Sequence, residues 1–255
     1  MLTWARRRQF SYLFAFLAFF GLLGFSSWLI FKPAPTCFDG RQNGNETGLD
    51  CGGDCLLACV EESRPLSILW TRALPVAPGR YDLVALVENV NRDLGARRQD
   101  YAFSIYGEDN ALLARRTGET FVNPGETFVI FESRLEVEDR PVGKVFLELA
   151  DQTAWQKALP GVKEISLTRR GFTNEPKPLL LLAVDNTGAS VARDLEVVAI
   201  LSDLNRNAMA ASATVLDRLA PGERQEISLT WPEAFVAEPS YFDFYWRLND
   251  LAGAD

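Results

Sequence analysis

Tyr81-Asp82-Leu83-Val84-Ala85-Leu86-Val87-Glu88-Asn89 is answered 97 residues later by Pro178-Leu179-Leu180-Leu181-Leu182-Ala183-Val184-Asp185-Asn186. Leu83, Val87 and Asn89 recur as Leu180, Val184 and Asn186. In the first stretch Tyr81, Leu83, Ala85 and Val87 alternate with Asp82, Val84, Leu86 and Glu88. Period two over this length reads as a strand, here apolar on nearly both faces. The echo continues outward at the same offset. Ile68, Thr71 and Arg72 recur as Ile165, Thr168 and Arg169; Asn110, Ala111 and Ala114 as Asn207, Ala208 and Ala211; Pro124-Gly125-Glu126 as Pro221-Gly222-Glu223. An ungapped offset of 97 joins all these anchors, with the register around 92–98 and 189–195 left open. A period of that size is a small domain rather than a solenoid unit.

Other runs fit the same reading. Ile68 and Trp70 open the first copy; Tyr101, Phe103 and Ile105 alternate with Ala102, Ser104 and Tyr106; Phe128 and Ile130, then Val145, Leu147 and Leu149 follow. The second copy offers Ile165 and Leu167, Leu195 to Leu201, Ile227 to Trp231, and Phe242, Phe244 and Trp246. Pro124-Gly125 suits the central pair of a type II turn. Short strands split by turn residues, with no long helical run, predict an all-β fold of two tandem immunoglobulin-like β-sandwiches held by packing alone. The aromatics at these positions are expected in the core.

The N-terminus reads differently. Arg6, Arg7 and Arg8 precede Phe10 to Phe31, which carries no charge. About 20 apolar residues suffice to cross a bilayer. Tyr12 and Trp28 lie towards its ends, where amphipathic rings favour the headgroups, and the arginines predict a cytoplasmic N-terminus. The expected location is therefore the cell membrane, single-pass, with residues 32–255 extracytoplasmic. A cleaved signal peptide is the rival reading, but its apolar region is shorter and this one runs past Gly24 and Ser26 to Phe31.

The chain has net charge −8 and no histidine. Without the three arginines of the cytoplasmic end, the exported part carries about −11, a balance that repels nucleic acid and anionic lipid. Lack of histidine excludes Ser-His-Asp and Cys-His catalysis and His-ligated zinc. There is no Gly-x-Ser-x-Gly elbow, no phosphate-cradling loop and no zinc-protease motif. Glu136 and Glu138 form an acid pair of the kind glycosidases use, but such pairs on an acidic surface are usually solvated. No enzyme and no cofactor are expected.

All four cysteines, Cys37, Cys51, Cys55 and Cys59, fall just after the apolar span, among Gly, Asn and Asp. In an exported setting this predicts two disulfides, with three pairings open, or alternatively a four-cysteine zinc site. So small a segment needs crosslinks in place of a core. Asp39, Asn43, Glu46, Asp50 and Asp54 are hard oxygen donors, and the first four make a candidate calcium set, though the spacing is not that of an EF-hand. Solvated turn-capping is the alternative. Asn45-Glu46-Thr47 is a glycosylation sequon, of consequence only in a eukaryotic secretory pathway.

The pattern C-x-D-G-x-x-N-x-x-E-x-G-x-D-C-G-G-x-C-x-x-x-C, met at Cys37, Asp39, Gly40, Asn43, Glu46, Gly48, Asp50, Cys51, Gly52, Gly53, Cys55 and Cys59, resembles a small Cys-rich motif of bacterial and archaeal surface proteins. It covers about a tenth of the chain and implies a surface or envelope location, without chemistry. Phe103-Ser104-Ile105-Tyr106-Gly107, after Val87-Glu88-Asn89 and before the Asn-Pro-Gly turn, resembles the bacterial β-sandwich family named for its Phe-x-Leu-Tyr-Asp motif. Ile stands for Leu and Gly for Asp, and Ile200-Leu201-Ser202-Asp203 departs further. That family implies an immunoglobulin-like fold on exported proteins and no catalytic residue.

The expected organisation is a cytoplasmic end at 1–9, a signal-anchor helix at 10–31, a Cys-rich segment at 32–63 and sandwiches at 64–160 and 161–255. The link near Ala154 to Val162, with Trp155 and Pro160, predicts limited hinge freedom. The expected role is non-enzymatic: a membrane-anchored protein presenting two modules to unidentified envelope or surface proteins. A pilus or secretion subunit is the alternative, and an unrecognised envelope hydrolase the lesser one.

Overall fold

A computed structural model describes residues 4–32, 34–137, 140–151, 153–158 and 164–251. Pro33, Glu138, Pro160 and Val162 lie outside the described residues.

The first element is helix α1, Trp4–Phe31, of 28 residues, about 42 Å long at the usual rise. It is long and apolar enough to cross a membrane, and none of its apolar window is buried inside the protein. Arg6, Arg7 and Arg8 ride on its opening turns, so the helix starts before the uncharged span.

Among the described residues thirteen strands follow the Cys-rich segment. The first copy supplies β1 (Ser67–Ala77), β2 (Arg80–Glu88), β3 (Leu94–Gly107), β4 (Leu112–Val122), β5 (Thr127–Glu136) and β6 (Val142–Leu149). Two-residue β7 (Gln156–Lys157) comes next. The second copy supplies β8 (Ile165–Thr173), β9 (Leu179–Asn186), β10 (Ala192–Ser202), β11 (Ala208–Leu219), β12 (Arg224–Thr230) and β13 (Tyr241–Arg247). The sheets run β1-β2-β5 and β4-β3-β6 in the first copy, β12-β9-β8 and β11-β10-β13 in the second, with β7 on β3. Among the described residues every strand pairing is antiparallel. The chain is thus all-β apart from its apolar helix and disulfide-bonded segment.

Each copy closes its two sheets on a core of its own. Leu83, Ala85, Val87, Phe103, Ile105, Phe128 and Leu147 fill the first. Leu180, Leu182, Val184, Leu195, Val197, Leu201 and Leu229 fill the second. Phe103, Phe128 and the Phe242–Phe244 pair lie in or against these cores, where strand periodicity predicts them. Asn89 and Asn186 are buried for a different reason. Each side-chain amide donates to two backbone carbonyls, of Leu94 and Asn123 in one copy and of Ser190 and Leu219 in the other, at 2.8–3.0 Å. Each backbone N–H donates to the Glu of the repeated Pro-Gly-Glu turn. The repeated asparagine therefore ties the end of one strand to the turn before another. Gly125 and Gly222 hold φ of +62° and +73°, the left-handed geometry that a type II turn puts at its third residue.

The offset of 97 is not uniform. Phe103 faces Leu147, whereas Ala199 faces Phe244, so β10 follows β3 by 96 residues while β13 follows β6 by 97. The residue is lost between Asn89 and β3, in the stretch whose register the sequence leaves open. It is regained where β11 runs from Leu216 to Leu219 opposite an unbulged β10, while β4 runs only from Thr120 to Val122 opposite a bulge in β3. The echo of Asn110, Ala111 and Ala114 in Asn207, Ala208 and Ala211 is therefore corrected. In the β3–β4 turn Asn110 has φ +59°, and its counterpart is Arg206 at +63°. Ala114 answers to Ala210, one residue before Ala211. In a strand that single step reverses the face.

A third apolar cluster joins the copies. Leu74, Val84 and Val129 from the outer face of β1-β2-β5 pack on Val198, Ile200 and Ala211 from the outer face of β11-β10-β13, with Trp70, Leu86, Phe131, Ala208 and Tyr245 around them. This explains the opening stretch: β2 is apolar on both faces because both are covered. The limited hinge freedom expected of the link thus has a packed interface beside it, and Trp155 itself is buried against the first core.

Candidate functional site

The Cys-rich segment resolves one open question. Cys37 bonds Cys55 and Cys51 bonds Cys59, and no cysteine is free. The two links interlock, so the short Gly-rich loops between them are held without a core. Gly52 and Gly53 have φ of +73° and +54°, and a Cβ on Gly53 would lie 1.5 Å from the Asn45 carbonyl oxygen. The segment docks on the first copy. Leu57 bridges Gln156 of β7, Ala58 N–H donates to the Trp155 carbonyl and Lys157 N–H to that of Leu56. Asn91 closes the other side, exchanging hydrogen bonds of 2.8 Å with the backbone of Arg64.

The four calcium candidates are brought into one loop. The Asp50 carboxylate accepts the N–H groups of Asp39 and Gly40 at 3.0–3.1 Å. Asp39 accepts the Arg41 N–H and the Asn43 amide, the latter at 2.8 Å, and this amide is the main reason its carboxyl sits below the ordinary carboxylate range. Glu46 accepts the Asn43 N–H at 3.2 Å, and Asp54 accepts the Asn45 amide. The carboxylate oxygens are engaged as turn caps, whereas the side-chain oxygen of Asn43 is buried with no hydrogen-bond partner among the described residues. Another cluster, Cys37, Glu46 and Cys55, brings ligand-type atoms within 4.8 Å, but both sulfurs belong to one disulfide and neither is a thiolate.

The interface between copies holds a site that sequence reading misses. Arg247, at the end of β13, is only 3% exposed. It reaches into the first copy, donating to Thr120 Oγ1 at 3.0 Å, to the Phe121 carbonyl and to Glu126 Oε1 at 2.7 Å. Its guanidinium stacks on the rings of Phe121 and Phe128, 3.9 and 4.3 Å from their centroids. Glu196 lies 3.9 Å away on the other side. Burial pulls the Arg247 pKa down while the two carboxylates push it back, and burial raises that of Glu196. Asn123 adds hydrogen bonds to the Leu248 carbonyl and the Asp250 N–H. Position 150, which answers to Arg247 in the first copy, is alanine, so repeat symmetry gives no hint of this contact.

At the opposite end the interface opens. The outer face of β2 changes from Leu86 and Val84 to Asp82 and Arg80, and the sheets part around a cleft of about 1090 Å³. Asp82 is buried in its floor, 7% exposed, and accepts the Arg134 N–H at 3.0 Å. Burial raises its pKa, with the Arg134 amide and charge opposing. Arg134 sits at φ +59° beside a register shift between β2 and β5, and the bulge turns its N–H towards the carboxylate. Arg80, Lys177, Phe131 and Trp231 also line the cleft. The second member of the acid pair Glu136 and Glu138 lies outside the described residues; Glu136 is exposed on the cleft rim.

No protein-family model matches the chain, and no curated protein matches it. Among solved structures, red sea bream transglutaminase aligns over 72% of this chain and 31% of its own, at 12% identity and a TM-score of 0.23. The chain thus spans about a third of that structure, and a similarity this low carries no argument about fold or activity.

Proposed function

We propose that this is a non-enzymatic, membrane-anchored extracytoplasmic protein that presents two immunoglobulin-like β-sandwiches, as one rigid pair, for protein interaction or envelope scaffolding. The observation that carries the reading is the pairing of all four cysteines directly after an apolar helix. Disulfides persist in oxidising compartments, and the arginines on the opening turns of the helix, ahead of its uncharged span, match an N-terminus kept in the cytoplasm. The Cys-rich motif and the partial Phe-x-Leu-Tyr-Asp match support the same location and module type.

The joined faces support a closed pair over a polymer of stacked sheets. Where the copies meet, the positions are Val129, Phe131, Ile200, Ala211 and Tyr245. Their counterparts on the two faces turned away are Glu226, Ser228, Ser104, Arg115 and Glu148. Polar outer faces are how terminal repeats end an array. Protease treatment of intact cells tests the topology: the region after residue 32 is degraded while an N-terminal tag survives. Protection of the C-terminal region overturns the reading. Crosslinking in the same cells, read by mass spectrometry, then identifies what the pair touches.

A further inference from the structure

The cleft between the two copies combines features that suit one kind of ligand, and we propose that it binds an acidic, extended peptide segment. The inference rests on the proposed export only for where that peptide is met. Three cations, Arg80, Arg134 and Lys177, line the cleft from β2, β5 and the β8–β9 loop. None has an ion-pair partner among the described residues, although Arg98, Arg115, Arg116 and Arg140 of the first copy all pair with carboxylates. Two carboxylates oppose the three cleft cations, Asp82 buried in the floor and accepting the Arg134 N–H and Glu136 exposed on the rim, so the cations are in excess. In a chain of net charge −8, this is a locally positive recess, and charge complementarity selects an acidic occupant.

Shape selects a peptide over an anionic glycan. Interfaces between domains are common positions for binding clefts. Both β5 and β11 are edge strands of their sheets, and both border the cleft, with Phe131 of β5 on one wall and Ala211 to Ala213 of β11 on the other. On the β11 side the Ala211 carbonyl already accepts the Trp231 indole N–H at 2.9 Å and Trp231 is buried, so an extended peptide can use the β5 edge, the apolar wall of Phe131 and the cations together. A glycan can bond single backbone groups there but has no row of alternating N–H and C=O groups to match the strand edge.

The test is calorimetry on the purified full chain in detergent. The probes are an octapeptide of alternating Glu and Leu, its Lys-Leu counterpart, and an oligogalacturonate of equal charge. The Glu peptide is expected to bind with one-to-one stoichiometry, more weakly as salt rises. Arg134→Gln and Lys177→Gln are each expected to weaken it about tenfold, the scale of one charge-assisted contact. Lys144→Gln on β6, away from the cleft, is expected to leave it unchanged. If Arg134→Gln lowers the melting temperature, the loop substitution Lys177→Gln carries the test alone. No binding of the Glu peptide, equal loss with Lys144→Gln, or a preference for the oligogalacturonate or the Lys peptide overturns the proposal. Peptide binding by a chain whose C-terminal region proves protease-protected would overturn the export reading and leave this one standing.

Discussion

Two buried charges set the behaviour of the interface between copies, and they act in opposite directions. Both terminal nitrogens of Arg247 are engaged, by Thr120, the Phe121 carbonyl and Glu126, and its guanidinium packs on two aromatic rings, while its Nε has no hydrogen-bond partner among the described residues. Removing it leaves Glu126 and Glu196 without their cation, a loss of about 3–5 kcal/mol for a broken buried pair. Arg247→Ala should lower the urea midpoint accordingly. Arg247→Lys should recover little of it, because an ammonium cannot stack flat on Phe121 while reaching Thr120, the Phe121 carbonyl and Glu126 from two separate nitrogens. Asp82 works the other way. Burial holds its folded-state pKa above the unfolded value, so the folded protein favours the protonated acid. Ionisation therefore weakens the fold at neutral pH, and this cost disappears as pH falls below the ordinary carboxylate value of about 3.9. Asp82→Asn keeps an acceptor for the Arg134 N–H and should stabilise by roughly 1 kcal/mol at pH 7. The gain should shrink to nothing near pH 4 in a series of thermal melts. A gain constant with pH would contradict this account.

At the scale of strands, the same position has opposite tolerances in the two copies. Val129 on β5 is 4% exposed against the second copy; its counterpart Glu226 on β12 faces solvent. Val129→Glu places an unpaired charge in the apolar interface and should cost about 3 kcal/mol. Glu226→Val should stay within about 0.5 kcal/mol, both measured by denaturant titration. The doubly apolar β2 and β10 were legible in sequence as strands because period two survives even when both faces are buried. What covers their second faces was not, since alternation reports that a face is covered and never by what. β4 carries no clean alternation: Arg115, Arg116, Thr117 and Glu119 make it a polar strand, legible only from its neighbours. The slip from 97 to 96 was hidden by chance matches of small residues, alanine to alanine and asparagine to asparagine, which packing constrains least. In the Cys-rich segment the existence of two bridges followed from count and compartment. The pairing did not, because all three pairings close similarly short loops.

For the molecule as a whole, the shared apolar cluster and the docked Cys-rich segment predict one cooperative body rather than beads on a string. Calorimetry on the chain should give a single transition, and Arg247→Ala or Val129→Glu should split it as the copies uncouple. Reducing both disulfides should cost about 2–4 kcal/mol for each link. It should also raise hydrogen exchange at Ala58 and Lys157, whose N–H groups tie the segment to the first copy only while it is held. That docking also limits height. Between Phe31, where the helix ends, and Cys37, the first crosslinked residue, there are six steps of chain, about 20 Å when fully extended. Beyond Cys37 there is no slack, because the crosslinked segment is fastened to the β7 edge of the first copy. Under the proposed anchoring, the pair of sandwiches is moored close to the bilayer like a boat on a short line. It can swing about its anchor but not rise from it, so its partners must come to the membrane surface to be met.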